Sequence, residues 1–270
     1  MHLTSLNTSI ICPLNDAESL TIIKIAKKKG YEVRISLQNG GFCPLFREPV
    51  STFRGLKENV IIIEMPGIEK ESEIKAKHNL IIIDHHDYSS LNVMRDNPIS
   101  SLEQFSKLLN YKLSNFENAI AINDQKYIYG MIESHLPIET IKEIRNLDLS
   151  FKGYSEEEIE ISKKDLQSKI TTPNGIHHYK ATIIDKHTYL SDLHIFSQNG
   201  KISNFSITGP ASKGKEKYLW FSGDMEIIRK LKKLGGYSKQ SNEQYGYWGG
   251  FQKGIEKVDL YLAHKILESE

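Results

Sequence analysis

Four places in the first half of this sequence set acidic or imidazole side chains directly after a run of apolar residues. Thr8-Ser9-Ile10-Ile11 leads into Cys12-Pro13-Leu14-Asn15-Asp16-Ala17-Glu18, and Val60-Ile61-Ile62-Ile63 ends in Glu64. Leu80-Ile81-Ile82-Ile83 ends in Asp84-His85-His86, and the helical stretch Ala119–Ile122 ends in Asn123-Asp124. In an α/β sheet ligands gather at the carboxyl ends of the strands, so side chains at such places converge from distant parts of the chain. Carboxylate oxygens together with imidazole nitrogens suit hard or borderline divalent cations such as Mn²⁺ or Mg²⁺, and this many donors suits two ions. Taken singly, Glu64 and Asp124 read as solvated ends of their elements, and Cys12 reads as a small buried hydrophobe.

The elements that must position these side chains are legible as an alternation. Ser19 to Lys29 carries Leu20, Ile23 and Ala26-Lys27 at helical spacing, Gly30 suits the position after a helix end, and Tyr31 to Ile35 reads as the next strand. The runs 60–63 and 80–83 are continuously apolar, the pattern of strands buried on both faces of a parallel sheet. Ser100-Ser101-Leu102-Glu103 has the form of a helix start leading into Phe105, Leu108 and Leu109, and a further helix covers Glu117 to Ile122 and resumes after a turn. The expected fold class is therefore α/β, with a parallel-sheet domain over residues 1–150.

Asp84-His85-His86, third in order after a strand–loop–helix opening and a strand ending in an acid, and before a further Asp, resembles the signature of the DHH phosphoesterase superfamily. That superfamily includes RecJ-type exonucleases, oligoribonucleases, cyclic-dinucleotide phosphodiesterases and manganese inorganic pyrophosphatases. The resemblance covers about residues 8–125. The family's first motif has a His, an Asp four residues on and a second Asp two further; here Cys12, Asp16 and Glu18 stand at that spacing. The second motif supplies an Asp that bridges both metals, where this chain has Glu64.

The resemblance implies that one Mn²⁺ or Mg²⁺ is held by Cys12, Asp16 and Glu64 and the other by Glu18, Glu64, His85 and Asp124. It implies that Asp84 orients a His and that His86 contacts the substrate phosphate. Two cations about 3.5–4 Å apart acidify a water and clamp the phosphoryl oxygens during in-line attack. The expected activity is hydrolysis of a phosphodiester or phosphoanhydride in a nucleotide or short single-stranded oligonucleotide. The replacements at Cys12, Glu18 and Glu64 leave open a catalytically degenerate binding or scaffold protein, and a pyrophosphatase-like enzyme acting on small phosphate anions is a third reading.

Beyond a charged, helix-like connector over 151–171, residues 172–270 read as a smaller α+β domain. Expected strands are His177 to Ile184, Tyr189 to Phe196, Ser203 to Ile207 and Lys217 to Phe221, with helices over Asp224 to Leu234 and Val258 to Leu267. His177 and His178 fit alternation on a half-buried strand. The Gly-rich segment Tyr245 to Gly254 reads as a loop in which Trp248, Gly249, Gly250 and Lys253 could meet substrate, glycine admitting a phosphate and the aromatics stacking on a base. It lacks the His that family members carry in the comparable loop. Lys213, Lys215 and Lys217 form a small basic loop.

Composition sets the outer limits. Of 270 residues 39 % are hydrophobic and 26 % charged, which excludes a largely disordered or fibrous chain. The formal net charge of +1 announces no nucleic-acid field by itself, although the chain is mildly acidic up to residue 170 and mildly basic beyond it. Two cysteines cannot build a disulfide framework. No apolar run approaches the ~18 residues of a membrane span, and the N-terminus lacks the features of a signal peptide, so a soluble cytoplasmic protein with no membrane partner is expected.

Overall fold

The computed structural model describes residues 2–38, 42–88, 91, 93–95, 97–211, 216–253 and 257–269. Contacts divide the chain into two compact units, Met1–Gln125 with Asn146–Gly153, and Lys126–Arg145 with Tyr154–Glu270. Residues 126–145, read from the sequence as part of the first domain, thus pack with the second unit, and 146–153 return to the first.

The first unit is built on β1 (Thr8–Pro13), α1 (Ala17–Lys28), β2 (Glu32–Ser36), β3 (Asn59–Ile63), α2 (Ile68–Lys75) and β4 (Asn79–Ile83). Its sheet has the order β2-β1-β3-β4 and every pairing is parallel, so all four carboxyl ends share one edge. β1 and β3 are buried along their whole length, as continuous apolar runs require. Each fully buried isoleucine there contributes about 1.5–3 kcal/mol relative to exposure. β4 is an edge strand and only half-buried over Leu80–Ile82, although its run is equally apolar. One face packs Ile11, Val60 and Ile62 against Cys43, Leu45, Met65 and Ile74. Beyond β4 come a short pair, β5 (Asp87–Tyr88) and β6 (Val93–Met94), then α3 (Ser101–Leu108) and α4 (Asn115–Glu133).

Local sequence sets the helix ends. Asp16 caps α1 by accepting from Ser19 N at 2.7 Å, and Ser100 caps α3 in a reciprocal box with Glu103. α4 is broken at Tyr127, where φ 58° and ψ −162° are not helical. α5 (Ile138–Ser150) and α6 (Glu156–Asp165) follow.

The second unit carries β7 (Ile170–Thr171), β8 (His177–Lys180), α7 (Thr188–Ser197), β9 (Phe205–Ala211), β10 (Glu216–Asp224), α8 (Met225–Lys232), β11 (Tyr237–Gln240), β12 (Tyr245–Phe251) and α9 (Leu260–Ser269). Its mixed sheet has the order β11-β12-β10-β9-β8-β7, with only β8 and β9 parallel. α8 and α9 cover one face through Ile227, Ile228, Leu231, Ala263 and Leu267, packed on Leu219, Phe221 and Trp248. Two expectations are corrected here. Tyr189 to Phe196 is the helix α7, not a strand: Leu190, Ser191, His194 and Ile195 are buried at helical spacing, and the buried Asp192 and His194 had imitated a two-residue alternation. The strand that begins at His177 ends at Lys180 rather than at Ile184.

His194 is wholly buried, with the Tyr179 hydroxyl 2.7 Å from Nδ1 and the Ser203 hydroxyl 2.8 Å from Nε2. Burial above all, then the nearby His177 and Lys169, hold its pKa down to about 3. Below about pH 6.5 the unfolded chain binds a proton that the folded chain refuses, so stability falls as pH drops from there toward the folded value. The slope is about 1.4 kcal/mol per pH unit, or about 2 kcal/mol lost at pH 5. Urea unfolding at pH 7 and pH 5 checks this: His194→Gln should lose less stability between the two than the parent, and equal losses would refute it.

Candidate metal centre

The carboxyl edge of the first sheet is where the expected side chains meet. Glu18 comes from the first turn of α1, Glu64 follows β3, His85 and His86 follow β4, and Asp124 lies on α4. One ligand atom from each of Glu18, Glu64, His85 and Asp124 falls within 4.8 Å of the others, and Glu64, His85 and His86 form a second such group. Glu64 and His85 belong to both. Glu64 itself has φ 47°, a left-handed conformation that a residue with a Cβ rarely adopts, held by a bond from its N–H to Ile83 O at 2.9 Å.

The electrostatics of the cluster are those of buried carboxylates crowded around one imidazole. His85 Nε2 lies 2.6 Å from Asp124 Oδ2 and 3.3 Å from Glu64 Oε1. Neither contact has hydrogen-bond geometry, and these three atoms together with Glu18 Oε2 are buried with no hydrogen-bond partner. Buried polar atoms left in that state cost about 1–3 kcal/mol each, more when charged. Burial lowers the His85 pKa, but Asp124 and Glu64 outweigh it and push it up to about 10, so the imidazolium stands where a cation is called for. Burial first, then Asp124 and Glu64, drive the Glu18 carboxyl well above its ordinary range. Burial, Glu64 and Asp124 lift Asp16 to about 7. A donor set of three carboxylates and an imidazole fits a divalent cation such as Mn²⁺.

Asp84 accepts from the His86 N–H at 3.0 Å and lies 3.3 Å from His86 Nδ1, so it orients that ring. His86 is the more open of the two histidines, its side chain 40 % exposed against 5 % for His85. The sequence reading missed the residues that brace Asp84. Tyr88 donates to its Oδ1 at 3.3 Å, Gln104 donates to its carbonyl at 3.1 Å, and Arg95 bonds Glu71 at 2.6 Å while its Nε lies 3.9 Å from Asp84 Oδ2. No motif spacing marks Arg95 or Glu71; only the fold brings them there.

Other expected residues stand elsewhere. Cys12 and Asp16 lie outside both ligand groups among the described residues. The Cys12 thiol points at Ser19 O, 3.9 Å away, and burial, reinforced by Glu64 and its neighbours, keeps it protonated. Asp16 uses Oδ1 as the cap of α1. In the second unit, Tyr245–Phe251 is a strand rather than a substrate loop. Trp248 is fully buried, its indole donating to Gly235 O at 2.8 Å, so it has no face for a base. Gly249 and Gly250 are explained by packing, since a Cβ would come within 2.4 Å of the Tyr237 ring and 2.5 Å of Val258. Lys253 pairs with Glu216. Lys213, Lys215 and Gly254 lie outside the described residues, and Lys217 is exposed.

Among the described residues no helix is long and apolar enough to cross a membrane. No protein-family model matches the chain, and no curated protein does. Among solved structures the chain is similar to a pGpG-specific phosphodiesterase, PggH from Vibrio cholerae, at 12 % identity and a TM-score of 0.42, covering 97 % of this chain and 98 % of that one. It is also similar to an exonuclease RecJ bound to manganese, at 10 % identity and a TM-score of 0.36, covering 96 % of this chain and 88 % of that one.

Proposed function

We propose that the first unit is a DHH-type phosphoesterase centre that hydrolyses a phosphodiester or phosphoanhydride in a nucleotide or short single-stranded oligonucleotide with the aid of Mn²⁺ or Mg²⁺. The observation that carries this reading is the convergence of Glu18, Glu64, His85 and Asp124 within 4.8 Å of one another, with four of their polar atoms buried and none of them in hydrogen-bond geometry. Divalent ions held there would supply Lewis-acid polarisation of a phosphoryl oxygen and an acidified water for in-line attack. The protein's part is positional. Glu64, common to both groups, is the side chain that would serve either position, His85 would give its one ring-nitrogen lone pair to a single ion, and Asp84 would hold the more exposed His86 ring toward an incoming phosphate.

A ligand that binds only the folded chain stabilises it by about 2.7 kcal/mol at a hundred times its Kd. Mn²⁺ should therefore raise the melting temperature above that measured in EDTA, and dinucleotide cleavage should require the metal. The scaffold reading, motivated by the replacements at Cys12, Glu18 and Glu64, draws further on Cys12 and Asp16 standing apart from both ligand groups among the described residues. Failure of Mn²⁺, Mg²⁺, Co²⁺ and Zn²⁺ alike to shift the melt would favour it. Faster release of phosphate from pyrophosphate than cleavage of dinucleotides would favour a pyrophosphatase-like enzyme.

A further inference from the structure

The candidate metal centre occupies the carboxyl ends of β1, β3 and β4 and leaves the end of β2 unused. Beyond that end lies a cleft of about 640 Å³ whose lining includes Arg34, Gln38, Arg47, Glu48, Thr52 and Arg54. Its wall is a built structure. Arg34 donates through Nη1 to Thr52 O at 2.8 Å and Arg54 O at 2.5 Å, through Nη2 to Gly55 O at 2.9 Å, and through Nε to Glu32 at 2.8 Å. Its guanidinium is thus spent on the frame. Glu48, the one acid among the lining residues, accepts from Ser36 at 2.5 Å, from Thr52 at 3.0 Å and from Gln38.

Two guanidinium groups remain. Arg47 and Arg54 are both exposed, and neither has an ion pair among the described residues. The Arg47 guanidinium carbon lies 5.7 Å from the ring centres of Phe42 and Phe46, and Phe46 is 59 % exposed. Leu37 at the strand end is 90 % exposed. The cleft itself sets Arg47 and Arg54 beside the apolar Ile35, Leu37 and Pro49, while Phe46 faces the neighbouring pocket of Gly67, Ile68 and Lys70. Cations beside open apolar surface suit a ligand that offers several phosphates and unstacked base faces together, which is single-stranded nucleic acid. Neighbouring strands are about 4.8 Å apart, so the end of β2 lies about 10 Å from the end of β3, where Glu64 stands. A phosphate in the cleft is therefore not the one at the metal centre but one further along the same strand.

We propose that this cleft is a metal-independent subsite for a single-stranded oligonucleotide, in which Arg47 and Arg54 take phosphates beyond the reacting one. The proposal deepens the phosphoesterase reading and rests on it for the choice of ligand. It makes a short oligonucleotide a better substrate than a mononucleotide or pyrophosphate.

The test is fluorescence anisotropy of 5′-fluorescein-labelled pentathymidylate with the full chain in EDTA, over a series of salt concentrations. The parent should bind, and the double variant Arg47→Glu/Arg54→Glu should bind at least about tenfold more weakly, given that each phosphate contact on a single strand contributes about 0.7 to the slope of log K against log salt. The slope should fall by about 1.4. Arg47→Lys/Arg54→Lys should keep most of the salt dependence. The control Lys27→Glu/Lys28→Glu makes the same charge change on exposed residues at the far end of α1 and should bind nearly as the parent does. The proposal is overturned if the parent does not bind in EDTA, if the Arg47/Arg54 variant matches it, or if the Lys27/Lys28 control weakens binding equally. Because no metal is present, none of these outcomes depends on the phosphoesterase reading, whose own failure would appear in the Mn²⁺ melts.

Discussion

Glu64→Gln should lower Mn²⁺ affinity and metal-dependent hydrolysis together, and by more than the about 10–100-fold typical of groups that merely brace a ligand. The same change should raise the melting temperature of the metal-free protein. Both effects follow from position. Glu64 is shared by the two ligand groups, so its neutralisation weakens every arrangement that uses them. Without metal its charge faces one imidazolium, His85 at 3.3 Å, which Asp124 at 2.6 Å still answers after the change, and it works against two carboxyls, because burial together with Glu64 and Asp124 lifts Asp16 to about 7 and Glu18 is driven up by the same neighbours. Gln keeps the shape and the backbone turn at φ 47° while removing one of the crowded charges. Calorimetric Mn²⁺ titration, dinucleotide cleavage and melts in EDTA read the three effects separately. Full metal binding and full hydrolysis in Glu64→Gln would sink the site assignment even with the fold intact.

Asp192→Ala should cost about 3–5 kcal/mol of stability, the loss expected when one partner is removed from a buried ion pair. Arg145 and Asp192 in the second unit have side chains 1 % and 0 % exposed, with Arg145 Nε donating to Asp192 Oδ2 at 3.0 Å. The Tyr127 hydroxyl donates to the other carboxylate oxygen at 2.5 Å, and the guanidinium sits 4.3 Å from the Tyr127 ring centre. Asp192→Ala takes away the acid facing a guanidinium that has been removed from water. Replacing the pair together, as Arg145→Met/Asp192→Leu, should recover much of the loss, since two charges cost more to bury than two apolar groups of similar size. Urea unfolding of the two single variants and the double completes the cycle. A double variant no more stable than Asp192→Ala would show that the network holds the fold by shape rather than by charge.

How far the sequence could be read depended on how local each signal was. The parallel sheet was legible because the runs at Ile10-Ile11, 60–63 and 80–83 are short, apolar and each followed by acids, and the helix start at Ser100 carries its Glu103 three positions on, whereas α1, read as beginning at Ser19, begins at Ala17 under the cap of Asp16. The group of Glu18, Glu64, His85 and Asp124 could be named because each follows such an element. What stayed hidden is set by tertiary contact. Asp192 and His194 are polar residues whose burial depends on partners distant in sequence, Tyr127 and Arg145 for the one and Tyr179 and Ser203 for the other, and no local pattern marks them as facing the core of a helix. Trp248, Gly249 and Gly250 looked like a phosphate loop until strand pairing gave the glycines Tyr237 and Val258 as neighbours. Arg95 and Glu71 brace Asp84 from segments whose spacing carries no pattern at all.

The place of β4 at the sheet's edge gives the cluster a topological meaning beyond catalysis. The strand that delivers His85 has, among the described residues, one hydrogen-bonded neighbour, β3, and side chains half-buried over Leu80–Ile82, with α2 and α3 packed against it. Side chains numbered 18, 64, 85 and 124 meet at one point, and a cation bound by all four would tie three successive loops of chain. Tying a loop restricts the unfolded chain, and lengthening it adds only slowly to that restriction, so segments this far apart are fastened at little more cost than near ones. A bound ion would thus act as a reversible cross-link at one margin of the sheet, and the tightness with which β4 is held would follow the supply of metal.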